Sequence, residues 1–415
     1  MDKFVTKITT TIESPSYSSI PGGMQVTSSS SRYVLLFPFP TQGHLNPFLD
    51  FARNLASRIP YILIKIISTP DNIQKLRPRF LDYPTIDFVE LPPFAENAEN
   101  TENTLQMLIT ETLFHMSVEV AHSFGSRHVP LYTSGPYAVS IYNSIWTHLP
   151  HRLTPADVLT LPDLPPNFTI HGNQLSQNMI KAASSYTQDS PTTFAARQAE
   201  FCKNADGSLW NTVGVLEKFW LQHWENSSGR PVWAIGPVLP ISSNEKERGG
   251  EDSCILVDQM MELAKGLERS EQRFIWVLRN PTGFEVGDKF RSEWLLHGFE
   301  ERMKQKWQGF LTNGVPVIGW PLGSEQYYNS KLLEEELGVC LELARGFDAN
   351  INGEDVAQTV RLVLEGDKGV KMRKKAEDLS QEMKKVLMKN GSSVQSLDNF
   401  VKTLRMWGEE DMKPR

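Results

Sequence analysis

A chain of 415 residues is more than one ordinary hydrophobic core supports, so two domains of similar size are expected. Its 40% hydrophobic and 22% charged residues fit a globular protein, and a net charge of −7 without a strongly basic region argues against nucleic acid or an anionic membrane surface as partner. There is no apolar run of the roughly 18 residues that a transmembrane helix requires. The three cysteines, Cys202, Cys254 and Cys340, lack metal-ligand or CxxC spacing and leave one thiol over in any disulfide scheme, which points to reduced thiols in a cytoplasmic protein.

Residues 1–31 are rich in Ser, Thr and Pro and read as a disordered tail. Order is expected from Tyr33-Val34-Leu35-Leu36-Phe37, a short apolar run suited to a buried parallel strand. A Pro/Gly-rich loop from Pro38 to Pro47 leads into a helix with Phe48, Leu49, Ala52, Leu55 and Ala56 on one face. A strand over Tyr61–Ile67, a helix capped near Asp71-Asn72 and a strand over Ile86–Leu91 follow. This alternation is the signature of a doubly wound parallel sheet. Further along, Leu105–Phe114 reads as a strand or a helix start, Ser117–Phe124 as a helix, His128–Thr133 as a strand and Ala138–Trp146 as a helix. Pro150–Pro166 reads as a surface loop, and Ala205–Thr212 as a strand. Composition changes after Pro231–Pro240, and the charged segment 241–252 reads as a linker. The second half repeats the alternation, with helices over Val257–Glu268, Val356–Leu364, Gly369–Leu387 and Ser392–Met406 and strands at Phe274–Leu278 and Val339–Leu343.

Two places carry polar groups where such sheets put their chemistry, outside the carboxyl ends of strands. His44 heads the first helix; an imidazole there either accepts a proton from a hydroxyl, its ordinary pKa lying near neutrality, or simply packs in the loop. From Gly314 to Gln326, the apolar segment Val315–Ile318 is expected as a buried strand, broken by Gly319-Trp320-Pro321 and ending in Glu325-Gln326. That acid and amide either hold a polyhydroxylated ligand or open the next helix on the surface. No Walker or GxGxxG pattern occurs, which sets aside a nicotinamide-linked oxidoreductase.

The segments Phe37–Pro47, Arg230–Pro237, Phe274–Arg279 and Gly314–Gln326, together and in order, resemble the plant UDP-dependent glycosyltransferases of the GT-B fold. The resemblance implies an α/β, GT-B-like chain of two doubly wound parallel-sheet (Rossmann-like) domains. It implies transfer of a sugar, with glucose favoured, from a UDP-sugar to a hydroxyl of a small acceptor such as a flavonoid or hormone. The displacement is direct and inverting, with UDP-sugar as co-substrate and no metal or other cofactor. His44 matches the family's base, and Glu111 stands where an Asp orients that base. Glu keeps the charge but adds a methylene, which calls for a backbone shift of about an ångström; the alternative is an ordinary exposed carboxylate. Glu325 and Gln326 match the pair that binds the donor sugar, and Trp307 the aromatic that stacks on uracil. The expected layout is a tail over 1–31, an acceptor domain over 32–240, a linker over 241–252, a donor domain over 253–391 and a C-terminal helix and tail over 392–415, in a monomer.

The chain also departs from the family. Its last histidine is His297, so no histidine lies within or after the donor-binding signature box, and most of that box is missing between Lys306 and Gly314. Ser253–Leu256 stands where the family begins the second sheet. The losses have the form of skipped segments, so the donor domain is expected to be incomplete. The alternative reading of function is therefore a catalytically inactive relative that at most binds an acceptor or a protein partner.

Overall fold

The computed structural model describes residues 32–91, 104–110, 117–180, 204–238, 255–272 and 314–410, apart from gaps at 41, 154–156, 167 and 177–178, together with residues 281, 291, 294 and 295. The first half is built on seven parallel strands. In chain order these are β1 (Arg32–Phe37), β2 (Leu63–Ser68), β3 (Ile86–Glu90), β4 (Thr104–Thr110), β5 (Arg127–Tyr132), β8 (Ser208–Trp210) and β9 (Val232–Ala234), and across the sheet they run β3-β2-β1-β4-β5-β8-β9. The order reverses at β1, the point at which open α/β sheets leave a crevice beyond their carboxyl ends.

Alternation along β1 shows why the sheet is covered on both faces. Val34 and Leu36 enter one core, with Leu45, Phe48, Leu49, Ala52 and Leu55 of helix α1 (Gln42–Arg58), while Tyr33, Leu35 and Phe37 enter the core on the other face. Helix α2 (Pro70–Leu76) is capped by Thr69, whose hydroxyl accepts from the Asn72 N–H, so the cap precedes the Asp71-Asn72 pair expected from sequence; Pro70 supplies the preset first-turn φ. Helix α3 (Ser117–Ser123) precedes β5, and α4 (Pro136–His148) follows it.

Three further expectations change. Helix α1 begins at Gln42 and contains Pro47, so His44 lies in its first turn and not in a loop. A proline this near the start forfeits only one backbone bond. The Pro150–Pro166 segment is not a plain surface loop. It holds α5 (Pro150–Leu153) and β6 (Val158–Thr160), which pairs antiparallel with β7 (Thr169–His171), and it buries Leu159, Leu161 and Leu164. The proline-rich spacing hid this short hairpin, whose apolar side chains give it a core to pack on.

In the second half, α6 (Lys218–Ser228) and β9 having completed the first sheet, helix α7 (Val257–Arg269) packs on α9 (Gly353–Glu365). Contact there is close: a Cβ at Gly266 would overlap Val356. Strands β10 (Val317–Gly319) and β11 (Cys340–Glu342) form a parallel pair joined by α8 (Gln326–Lys331) and the π-turn Leu332–Glu336. Strand β10 is half-buried throughout, unlike the buried strand expected, because β11 is its one partner among the described residues. The expected strand at Phe274–Leu278 lies outside the described residues. Helix α10 (Asp367–Val386) leads to α11 (Ser392–Glu410), which returns to the first half. There Leu397, Phe400, Val401 and Leu404 join the core of α1 and β1, and Gln106 Nε2 donates to the Leu404 carbonyl at 2.9 Å.

Phe400 is fully buried between Phe51 and Trp233, at ring-centroid distances of 6.1 and 5.1 Å. Phe400→Ala is expected to cost about 3–5 kcal/mol of unfolding free energy. Denaturant titration followed by tryptophan fluorescence checks this, because Trp233 reports from the same contact; a loss below about 1 kcal/mol contradicts the docking of α11.

Candidate functional site

The site lies at the carboxyl ends of the strands, where the two halves meet. His44 stands in the first turn of α1, just beyond β1, half-buried, with its ring edge-on to Phe39 at 5.7 Å. Its Nδ1 is closed off from solvent. Thr110, the last residue of β4, is in register with Phe37, the last of β1. Glu111 follows Thr110 directly but lies outside the described residues, as does Trp307.

Thr110 itself belongs to a buried polar cluster. Its hydroxyl is 2.9 Å from His128 Nε2 and 3.0 Å from Ser117 Oγ, and Ser117 Oγ is 2.8 Å from the same nitrogen. Burial pushes the His128 imidazole down to about 3, against the opposing pull of Asp206, so this ring is neutral and structural. Asp206 accepts from the His128 backbone N–H at 2.9 Å and is bonded by His122 and Arg127. Burial alone would raise the Asp206 carboxyl; those partners hold it below the usual range.

One strand further on, β5 ends at Tyr132 and the chain turns through Ser134 and Gly135 into α4. Glu217 fixes this turn. Its buried carboxylate accepts from the Tyr137 N–H at 2.9 Å and from the Thr212 hydroxyl, and it fills the space a Cβ on Gly135 would need. A carboxylate at a helix N-terminus meets unpaired N–H groups and the positive end of the dipole.

Across the seam, Glu325 and Gln326 open α8. Ser324, before them, takes a left-handed φ of 52°, which turns the chain sharply out of the loop after β10. The Gln326 side-chain carbonyl accepts from the Leu322 N–H at 3.0 Å. A backbone N–H requires oxygen there, so the amide NH2 is the group presented outward. Glu325 Oε1 accepts from Ser134 Oγ at 3.1 Å, and Oε2 has no hydrogen-bond partner among the described residues. The pair therefore offers an acceptor beside a donor, which suits adjacent oxygens of a polyol. Tyr142 of α4 lies close by, its phenol pushed up by burial first and by the Glu325 charge among the lesser causes.

Beside Ser324 a cavity of about 670 Å³ opens between the halves, within the range of small-molecule pockets. Asn173, Leu175 and Ser176 wall it from the first half; Tyr327, Arg345 and Phe347 wall it from the second. Arg345 is held by Glu342 through two bonds of 2.7 and 2.6 Å and lies 5.2 Å from the Tyr327 ring centroid. Gln259 Nε2 donates to the carbonyls of Phe347 and Ala349 and pins that wall. Among the described residues no cluster of His, Cys, Asp and Glu has the arrangement of a metal centre, and no helix is long and apolar enough to cross a membrane.

No family model matches the chain. Individual proteins do. UDP-glycosyltransferase 92A1 of Arabidopsis thaliana is 28% identical over 89% of this chain and 96% of its own length. Crocetin glucosyltransferase 3 of Crocus sativus is 28% identical over 82% of this chain and 92% of its own. Its homologues are plant UDP-glycosyltransferases. The chain is thus similar over most of its length to enzymes. The crystal structure of TcCGT1 in complex with UDP superposes with a TM-score of 0.73 at 23% identity, covering 91% of this chain and 100% of that one, which shows the GT-B fold.

The sequence singles out His44, Glu325 and Gln326 beyond strand ends, where the structure places them, but not the groups that fasten Glu325 and the turn facing it. Neither Ser134 nor Glu217 gives a signal, since a lone serine in a turn and a lone acid after a strand have no periodicity or motif.

Burial chiefly raises the Glu217 carboxyl, while its bonds to Thr212 and Tyr137 act in the opposite sense. The sign follows: a raised folded-state pKa means the unfolded chain ionises first, so this group costs stability as pH rises through the ordinary carboxylate range. Glu217→Gln, which keeps a carbonyl for the Tyr137 N–H, is expected to shift the melting temperature upward more at pH 7 than at pH 4. Melting curves at the two pH values check it; an equal shift at both contradicts it.

Proposed function

We propose that this chain transfers a sugar, glucose in the simplest case, from a UDP-sugar to a hydroxyl of a small acceptor such as a flavonoid or hormone, with inversion. The observation that carries the reading is the acid–amide pair Glu325-Gln326 at the head of α8, which keeps a carboxylate oxygen and an amide NH2 for a ligand at the seam facing Ser134. In this reading His44 takes the proton from the acceptor hydroxyl. The oxygen then attacks the anomeric carbon, the bond to the UDP oxygen breaks, and UDP leaves with the electron pair. Glu325 accepts hydrogen bonds from sugar hydroxyls, and Gln326 donates to a sugar oxygen. Glu111 orients His44, and Trp307 stacks on the base. Strands β1 and β5 have only β4 between them, about 10 Å across the sheet at ordinary strand spacing, so the first turn of α1 and the turn at Ser134 lie beyond the same end of the sheet. The chemistry uses the UDP-sugar as co-substrate and calls for no metal or further cofactor, in a cytoplasmic monomer.

A second reading is supported by the length of the alignment. The alignment with the Arabidopsis relative runs over 471 positions yet takes in 89% of a 415-residue chain, so the relative carries segments without a counterpart here. With a shortened signature box between Lys306 and Gly314, the nucleotide loses much of its grip, and the chain becomes an inactive relative that binds an acceptor alone.

Calorimetry with UDP-glucose separates the two: heat at millimolar donor or below supports transfer, and silence there leaves only the inactive reading. In an active chain, His44→Ala is expected to lower turnover by about 10²–10⁴-fold while donor binding persists. Turnover within tenfold of the parent would remove His44 from the role of base.

A further inference from the structure

We propose that Ser134 is a positioning residue for the donor sugar: its hydroxyl, carried by the first half, sets the orientation of the Glu325 carboxylate, carried by the second. The inference rests on the reading of Glu325 as a sugar-binding acid and adds to it the group that aims that acid.

Both ends of the Ser134–Glu325 bond are held independently. On the first half, the turn before α4 is fastened by Glu217 through the Tyr137 N–H, and Gly135 fits against that carboxylate with no room for a side chain. Ser134 therefore sits on a braced turn. On the second half, the left-handed Ser324 and the Leu322 N–H bond to Gln326 fix the approach to α8. The helix is seated on the first half by Tyr327 and Tyr328, which share a buried cluster with Tyr137, Ile141, Ile145 and Trp220. Tyr328 Oη lies 3.4 Å from Met179 Sδ in that cluster. At 3.1 Å the hydroxyl–carboxylate contact is at the long end for an O–H···O bond, and it takes its direction from the two braced elements that carry it.

The bond has a specific effect on chemistry. A glutamate at the head of a helix, half-exposed, rotates freely about its last torsion. With Oε1 tied to Ser134, that torsion is restrained and Oε2 is left for a ligand. The acid is then pre-organised for the sugar, and only while the two halves are seated together. Ordering the carboxylate before the sugar arrives spares that entropic cost at binding. The effect belongs to sugar recognition, because the hydroxyl touches neither base nor leaving group in this arrangement.

The test is a double-mutant cycle on the full chain with Ser134→Ala, Glu325→Ala and both, plus Ser134→Thr, which retains the hydroxyl. Ser134→Ala is expected to raise KM for UDP-glucose about 5–20-fold, the loss of one charge-assisted bond, while kcat and the acceptor KM stay within about twofold. Ser134→Thr restores the donor KM, and Ser134→Ala adds nothing in the Glu325→Ala background. The proposal is overturned if the donor KM is unchanged, if both substrates and kcat suffer together with the melting temperature, or if the two changes are additive. If the parent chain gives no heat with UDP-glucose, the glycosyltransferase reading itself fails; thermal unfolding of the four proteins then shows whether the bond exists, and coupling there alone reduces Ser134 to a structural tie, which also overturns its role in sugar recognition.

Discussion

The packing of α8 against α4 is the constraint on which the site depends. Tyr327 and Tyr328 are buried among side chains of the first half, so the helix that carries Glu325 and Gln326 takes its position from the opposite domain. Phenol burial of this kind is favourable only if the rings fill their pocket closely. The aromatic groups meet edge to face: Tyr137 lies 4.9 Å from Trp220 and 5.9 Å from Phe168, with the rings near perpendicular. Such a cluster resists sliding, because any shift costs many contacts at once. A seam with that stiffness can hold a carboxylate to the tolerance that sugar recognition needs.

Charge at the same seam follows from the packing. Ionised groups there are paired or fastened: Arg345 with Glu342, Lys331 with Glu335 at a short contact, Glu217 with a helix N-terminus. Glu325 spends Oε1 on Ser134, with no hydrogen bond to its Oε2 among the described residues. A half-buried acid that spends only one of its oxygens on the fold keeps acceptor capacity for another group. The His128 cluster shows the opposite condition, since every approach to its ring is occupied or buried and its neutral state serves the end of β4.

How much of this was legible in the sequence depends on the kind of signal. The alternation of apolar runs in the first half gave the parallel sheet, because strands buried on both faces are continuous Val, Ile and Leu stretches such as Ile64, Ile66 and Ile67. His44 and the Glu325-Gln326 pair were legible because position beyond a strand end is itself a signal. The hairpin of β6 and β7 was not, since three-residue strands between prolines carry too little periodicity. The half-buried state of β10 was not legible either, for burial of a strand depends on neighbours that its own residues do not encode. Ser134 is the sharpest case. A serine in a turn is commonplace, and only the approach of a helix 191 residues away in sequence makes it a partner of an acid.

The return of α11 to the first half has a consequence for the order in which the molecule is made. Its core against Phe51, Trp233 and β1 is completed by Leu397, Phe400, Val401 and Leu404, which are translated long after the strands they cover. The bond from Gln106 to the Leu404 carbonyl joins positions 298 residues apart. The sheet of the first half can therefore be translated and paired early, but one face of α1 stays uncovered until α11 has been made. Contacts of such long sequence separation form late and leave apolar surface exposed in the interval. The nascent chain thus has an exposed interval built into its topology, and the final helix closes it.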